Sequence, residues 1–139
     1  MKKITSLFLV VLLVLSLCSV SFAAPAPPLT KLGVYAVVSS NGGVEYIQPG
    51  QIGTQKDHGG SECYVVTYEI GFSSSKFAKW NSALLKEVHS RHIDTNNDGI
   101  VEGYLRWWDI SGNDFGNFTY EAYSANYPWN KMSTGLRID

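Results

Sequence analysis

Most of the chain alternates between apolar and polar residues with a period of two, which is typical of β-strands. The clearest run is 64–70, YVVTYEI. The same pattern predicts further strands at residues 32–38, 44–48, 104–110, 118–123 and 132–138. A turn cluster separates 104–110 from 118–123, so these two are expected to form a hairpin. The pattern predicts a mainly β, single-domain, sandwich-like fold.

One segment breaks the alternation. Phe77, Trp80, Leu84 and Val88 recur at the spacing of a helical face, and Ser75 before them can cap a helix N-terminus. The spacing predicts one amphipathic α-helix over residues 75–91.

The first residues have the pattern of a secretory signal peptide. Lys2 and Lys3 precede the apolar run 7–17, which Ser16 alone interrupts. A membrane-spanning helix needs about 20 apolar residues, so we expect no membrane span after cleavage. The predicted organisation is a signal peptide at 1–23, a Pro-rich leader at 24–31 and a β-rich domain at 32–139, in a secreted, extracellular protein.

The expected cleavage site lies between Ala23 and Ala24. Cleavage one residue later would place Pro25 directly after the cut, a position that signal peptidase tolerates poorly. A lipoprotein signal is the alternative, but Leu17 stands before Cys18 where that signal requires a small residue.

Cleavage changes the composition in a way that bears on partners and stability. The remaining 116 residues hold nine Lys and Arg against twelve Asp and Glu, a net charge of −3. This balance argues against a nucleic-acid partner, since such proteins carry a basic surplus. Cys63 is then the only cysteine, so no intramolecular disulfide can form. A bound ion is the expected substitute.

Residues 94–102, DTNNDGIVE, resemble the calcium loop of EF-hands and dockerins. Ca²⁺ takes roughly six to eight oxygen ligands, which a tight loop supplies from alternate positions while a glycine at the sixth allows a sharp turn. Gly99 stands at that sixth position. The expected ligands are the side chains of Asp94, Asn96, Asp98 and Glu102 and the main-chain carbonyl of Ile100.

The loop departs from the EF-hand pattern at position 12, where Leu105 replaces the bidentate glutamate. The last ligand would then come from elsewhere, with Asp109 as a candidate. The expected affinity is that of extracellular calcium modules, about 10⁻⁴–10⁻³ M. The alternative is a polar turn whose Asx side chains bond their own backbone.

Aromatic residues are concentrated in the last part of the chain. Trp107 and Trp108 are adjacent, so in a strand they face opposite ways and one of them points away from the core. Exposed indole and phenol rings suit the apolar C–H faces of sugars. We therefore expect an extracellular polysaccharide or envelope component to bind at Trp107, Trp108, Tyr123 and Trp129. The alternative is that the predicted helix covers this second face and buries both tryptophans.

Two other groups of reactive residues have weaker patterns. His58 lies five residues before Cys63, but an active thiol needs an adjacent imidazole. His89 and His92 would share one edge of the predicted helix without a third metal ligand of matching spacing. No catalytic residue is assigned.

The mature chain as a whole resembles the YolA-like family of small secreted bacterial proteins. The resemblance rests on a glycine-bearing first hairpin and on several short segments. These are DHGG at 57–60, YVVTYEIG at 64–71, FTY at 118–120, PWN at 128–130 and MS at 132–133. It implies export and one compact domain, and, because that family has no known function, it assigns no catalytic residue.

Three functions remain open at this point. The first is a secreted calcium-binding β-rich module that binds a glycan or envelope component through exposed aromatics. The second is a secreted factor acting on another protein, as inhibitor, toxin or matrix component, through Cys63 and exposed strand edges. The third is a small hydrolase that uses Cys63 with a histidine, or carboxylates such as Glu69 and Glu121.

Overall fold

A computed structural model describes residues 24–139, and the predicted signal peptide at 1–23 lies outside them. The described part contains nine strands and no α-helix. The strands are β1 (Lys31–Ser39), β2 (Gly43–Tyr46), β3 (Cys63–Ile70), β4 (Ser73–Trp80), β5 (Ala83–Leu84), β6 (Glu87–Ile93), β7 (Gly103–Asp109), β8 (Gly116–Ser124) and β9 (Lys131–Ile138). The prediction of a mainly β fold is confirmed.

The strands form two antiparallel sheets that pack against each other. Sheet I has the order β2-β1-β3-β7-β6, and sheet II has the order β5-β4-β8-β9. Their inner faces meet at Trp108 and Tyr120, whose ring centroids are 5.3 Å apart. Buried side chains from both sheets, including Val37, Val65, Phe118 and Ile138, form one core between them.

The predicted helix over residues 75–91 is wrong. Those residues form β4, β5 and the first part of β6. Asn81 and Ser82 have φ values of +46° and +75°, which no helix accommodates. Leu84 and Val88, which the helix would have buried, are exposed. The helical spacing therefore arises from two strands joined by a tight turn.

The predicted hairpin between residues 104–110 and 118–123 is also wrong. Both segments are strands, but β7 pairs with β3 and β6 in sheet I, whereas β8 pairs with β4 and β9 in sheet II. The turn cluster between them carries the chain from one sheet to the other. Alternation and turn residues mark strand ends, but they do not distinguish a hairpin from such a crossing.

The predicted leader, residues 24–31, packs onto the two sheets at its C-terminal end. Leu29 is 2% exposed, and its main-chain N–H donates to the Ser124 hydroxyl at 3.0 Å. Gly71, with φ +89°, allows the leader to pass closely, because a Cβ there would lie 1.9 Å from the Pro28 carbonyl oxygen. β1 starts at Lys31.

A buried ionic cluster lies in the core between the sheets. Glu69 in β3 is fully buried and accepts hydrogen bonds from the guanidinium of Arg106 in β7 and, at 3.2 Å, from the hydroxyl of Tyr120 in β8. Glu87 accepts two more from Arg106 at 3.1 Å. The cluster satisfies every charge it buries, as the low-polarity interior requires.

Within residues 24–139, no helix has the length and apolar character needed to cross a membrane.

Candidate functional site

On the outer face of sheet I, one row of paired residues runs across four strands and has an aromatic side chain at each end. The pairing aligns Tyr46 in β2 with Ala36 in β1, Ala36 with Val66 in β3, and Val66 with Trp107 in β7. Tyr46 is 60% exposed, while Ala36 and Val66 between the two rings are small and buried. Three strand spacings separate the flanking rings by about 14 Å. The row forms a shallow platform with an aromatic ring at each end.

Neighbouring residues of the same face extend this platform. Tyr64 and Tyr68 flank Val66 on β3, where alternation places all three on the outer side, opposite the buried Val65 and Thr67. Across from Trp107 on β6, the imidazole ring of His89 packs with its centroid 4.9 Å from the indole. We call Tyr35, Tyr46, Tyr64, Tyr68 and Trp107 the aromatic face.

A β-bulge positions Tyr35 on this face. The register of β1 against β3 shifts between Val34 and Ala36, so Tyr35 stands outside the regular pairing. Bulges turn a side chain out of the strict alternation. Here the Tyr35 ring meets the Tyr46 ring edge-on, with centroids 5.4 Å apart. Sequence alternation did not reveal this, because a bulge leaves no distinct residue signature in β1.

The four aromatics expected to bind a ligand lie in different places. Trp107 is on the aromatic face. Trp108 is 3% exposed in the core, where its indole N–H donates to the Thr67 hydroxyl at 2.9 Å, so it presents no surface to a ligand. Tyr123 is on the outer face of sheet II, and Trp129 is in the loop before β9 with 64% of its surface exposed. The structure does not bring the four together.

The expected calcium loop joins β6 to β7, closed at its base by the Ile93–Gly103 pair. The Asp94 carboxylate accepts the main-chain N–H groups of Asp98 at 3.2 Å and Gly99 at 2.9 Å. The Asn96 side-chain amide donates to Asp98 at 2.9 Å. Asp98 also accepts the N–H of Ile100 at 2.7 Å. Both carboxylates therefore bond the loop's own main chain, as in the polar turn that is the alternative to a calcium site.

Two features of this loop differ from the expectation. Glu102 accepts hydrogen bonds from the main-chain N–H and hydroxyl of Thr95. Asp109, the candidate for the missing ligand, lies at the far end of β7, about 20 Å along the strand from Gly103. In the part of the chain that the structure describes, no three His, Cys, Asp or Glu side chains are grouped to hold a metal ion.

One family match covers nearly the whole described chain. The family described as "Domain of unknown function (DUF4879)" matches residues 24–138. The chain belongs to the DUF4879 family. The search of curated proteins gave no match.

In this DUF4879 protein, Cys63 and His58 are not arranged as a catalytic pair of thiol and imidazole. Burial, together with the charge of Asp109, raises the pKa of the Cys63 thiol to about 11. His58 faces other partners, with Nδ1 2.8 Å from the Ser39 hydroxyl and Nε2 3.1 Å from the Glu45 carboxylate. A buried thiol with a raised pKa is a poor nucleophile.

Two other residue pairs, His89 with His92 and Glu69 with Glu121, were candidates for a metal site or for catalysis, and the strands hold the members of each pair apart. His89 and His92 lie on opposite faces of β6, since His89 packs on Trp107 and His92 on Tyr104, with centroids 5.2 Å apart. Glu69 is in the core, whereas Glu121 lies on the outer side of sheet II and bonds Lys131. Neither pair shares a site.

Sequence reasoning missed a buried triplet in this DUF4879 protein, Ser39, His58 and Glu45. Glu45 accepts the main-chain N–H groups of Gln55 and Lys56, both at 2.9 Å, and the Gln51 amide at 2.8 Å. The triplet thereby fastens the long connection between β2 and β3 to the sheet. It resembles a hydrolytic triad in composition, but the Ser39 hydroxyl is buried and also accepts the N–H of Gly42 at 2.9 Å.

Proposed function

We propose that this DUF4879 protein is a secreted binding module that holds an extracellular polysaccharide or envelope component on the aromatic face of sheet I. The observation that carries the proposal is the row from Tyr46 to Trp107, which has an aromatic ring at each end and small residues between them. Sugar rings present apolar C–H faces together with hydroxyl groups. Tyrosine and tryptophan match them, because each combines an apolar ring with one hydrogen-bonding group.

The shape and charge of the face favour an extended neutral polymer. The row spans about 14 Å, which is longer than one sugar ring. Two side chains of opposite charge adjoin the face, namely Arg91 on β6 and Asp109, which is paired with Tyr64 at the end of β7. Secretion is supported by the position of the family match, which begins at Ala24, the first residue after the expected cleavage site.

Replacing Trp107 by alanine tests this proposal. The change is expected to weaken binding to the cognate polymer about 10- to 30-fold, the usual effect of truncating an aromatic anchor of a binding surface. Pull-down of the purified mature protein with cellulose, chitin and peptidoglycan sacculi measures it. Trp129→Ala is the matched control, since it removes an equally large exposed ring elsewhere and should leave binding unchanged.

Two outcomes contradict the proposal. One is that the wild-type protein binds none of the polymers, and the other is that Trp107→Ala binds as well as wild type. Capture of an envelope protein, with all three polymers unbound, would favour the second function, a factor that acts on another protein.

We also propose that the loop 94–102 binds Ca²⁺ weakly. Support comes from the alternate spacing of Asp94, Asn96 and Asp98, which places two carboxylates and an amide in one short loop. Hard cations prefer such oxygen donors. The Ile100 carbonyl and the Glu102 carboxylate would complete the calcium ligands. Glu102 would then give up its hydrogen bonds from Thr95 to bind the ion.

Calcium at about 10 mM is expected to raise the free energy of unfolding by about 1.4 kcal/mol if the dissociation constant is about 1 mM. Calorimetric titration and denaturation with and without calcium measure this. The double variant Asp94→Asn with Asp98→Asn removes both charges, so both effects should disappear. Wild-type protein that shows neither heat nor stabilisation would refute the proposal.

A further inference from the structure

Beside the aromatic face lies a cavity of about 360 Å³, at the edge where β1 and β9 approach each other. The cavity exists because the strands differ in length. β2 ends at Tyr46, opposite Ala36, so the first half of β1 has no strand beside it on that side. The turn 47–51 crosses the gap instead. A sheet edge left open in this way presents main-chain N–H and C=O groups.

The walls of the cavity combine aliphatic side chains and two aromatic rings with neutral polar groups. The aromatic part comes from Tyr35 and Tyr68, and the polar side chains include Gln48, Gln51 and Thr134. No lining residue is acidic or basic. Gly33 leaves room for the Tyr68 ring, because a Cβ at position 33 would lie 2.5 Å from that ring. Any larger residue at position 33 would push that ring aside.

We propose that this cavity binds one or two rings of an uncharged saccharide. This rests on the proposed function, because the cavity shares Tyr35 and Tyr68 with the aromatic face. A charged sugar would lose its hydration here without gaining an ionic partner. A neutral ring stacks its C–H face on tyrosine, while its hydroxyls meet amide, hydroxyl and main-chain groups. The volume lies within the usual range for small-ligand sites.

NMR titration of the ¹⁵N-labelled mature protein with soluble disaccharides tests the proposal. The probes are cellobiose, maltose and N,N′-diacetylchitobiose, with digalacturonic acid as the charged comparison. At least one neutral disaccharide is expected to shift the amide signals of Gly33, Gly50 and Gly135, which line the cavity. The charged one is expected to leave them unchanged.

Variants test whether the disaccharide binds in the cavity. Gln48→Ala combined with Thr134→Val should weaken disaccharide binding about tenfold, the loss expected for one or two hydrogen bonds. The matched control is Trp129→Ala, which removes an exposed ring that does not line the cavity and should keep disaccharide binding. The amide spectrum of each variant shows whether it is folded.

Each outcome decides one proposal. If no neutral disaccharide shifts these glycine signals, or if the shifts map elsewhere, the cavity proposal is overturned, whatever the polymer pull-down shows. If the disaccharide binds in the cavity but Trp107→Ala leaves polymer binding unchanged, the proposed function fails and the cavity site remains.

Discussion

Replacing Arg106 by alanine is expected to lower the free energy of unfolding by about 3–5 kcal/mol, the usual cost of removing one partner from a buried ion pair. Arg106 is 7% exposed, and its Nε donates to Glu69 at 2.7 Å. Without the guanidinium, a fully buried carboxylate keeps only the Tyr120 hydroxyl as a donor. Urea denaturation of the variant and the wild-type protein measures the loss.

Tyr120 does not replace the missing charge. Burial and the neighbouring Glu69 carboxylate raise the pKa of its hydroxyl, so it is a neutral donor at neutral pH. Adding Glu69→Gln to Arg106→Ala removes the stranded charge and should recover part of the stability. Recovery of this kind identifies the unpaired carboxylate, and not lost packing, as the main cause.

Lys131→Ala provides the control for a surface ion pair. Lys131 lies 2.9 Å from Glu121 on the solvent side of sheet II. Such pairs contribute little in water, so the midpoint of denaturation should not move. Equal midpoints for Arg106→Ala and the wild-type protein would show that the core tolerates Glu69 without its partner.

The alternating pattern located strands well because one face of each is buried. The expected strands at 32–38, 64–70 and 132–138 agree with β1, β3 and β9 to within one residue at each end. Strand partners were not predictable in the same way. Pairing depends on contacts between distant residues, and the turn between β7 and β8 resembles a hairpin turn although its strands belong to different sheets.

The alternating pattern did not show which side of β3 faces the core. Tyr64, Val66 and Tyr68 form the more apolar-looking side, yet they face outward, while Thr67 and Glu69 face the core. Burial of the polar side is possible because Trp108 and Arg106 supply the partners from β7. Those partners lie about 40 residues away in sequence, so the sequence alone does not reveal them.

The candidate site was partly predictable for a related reason. Adjacent residues in a strand face opposite ways, so one of the two tryptophans was expected to point away from the core. In the structure Trp107 points outward and Trp108 lies in the core. The row that joins Trp107 to Tyr46 depends on the register of four strands. Register follows from long-range pairing, so the alignment of these rings became visible only in the folded chain.

Glu45→Gln is expected to destabilise the protein by about 2–3 kcal/mol at neutral pH, the scale of hydrogen bonds to a charged group. The carboxylate accepts from the main-chain N–H groups of Gln55 and Lys56, and from Gln51 and His58. A glutamine keeps the size but replaces one acceptor oxygen by an NH₂ donor. That donor then faces other donors, and the connection between β2 and β3 loosens.

The effect should depend on pH with a definite sign. Burial alone would raise the pKa of Glu45, but the hydrogen bonds from Gln55, Lys56, Gln51 and His58 outweigh it and hold the pKa below its usual value. The unfolded chain titrates near about 4.3. Ionised Glu45 therefore contributes its full stabilisation above that pH, and the contribution is lost as the pH falls through the lower folded value.

Denaturation midpoints measured from neutral pH down to about pH 3 test this linkage. The wild-type and Glu45→Gln curves should lie apart at neutral pH and converge in acid. Glu121→Gln is the matched control, because Lys131 also lowers the pKa of that carboxylate, but on the exposed side of sheet II where solvent screens the pair. Its curve should follow the wild type throughout. If the Glu45→Gln curve ran parallel to the wild type down to acid pH, the hydrogen bonds to Glu45 would hold the connection without any contribution from its charge.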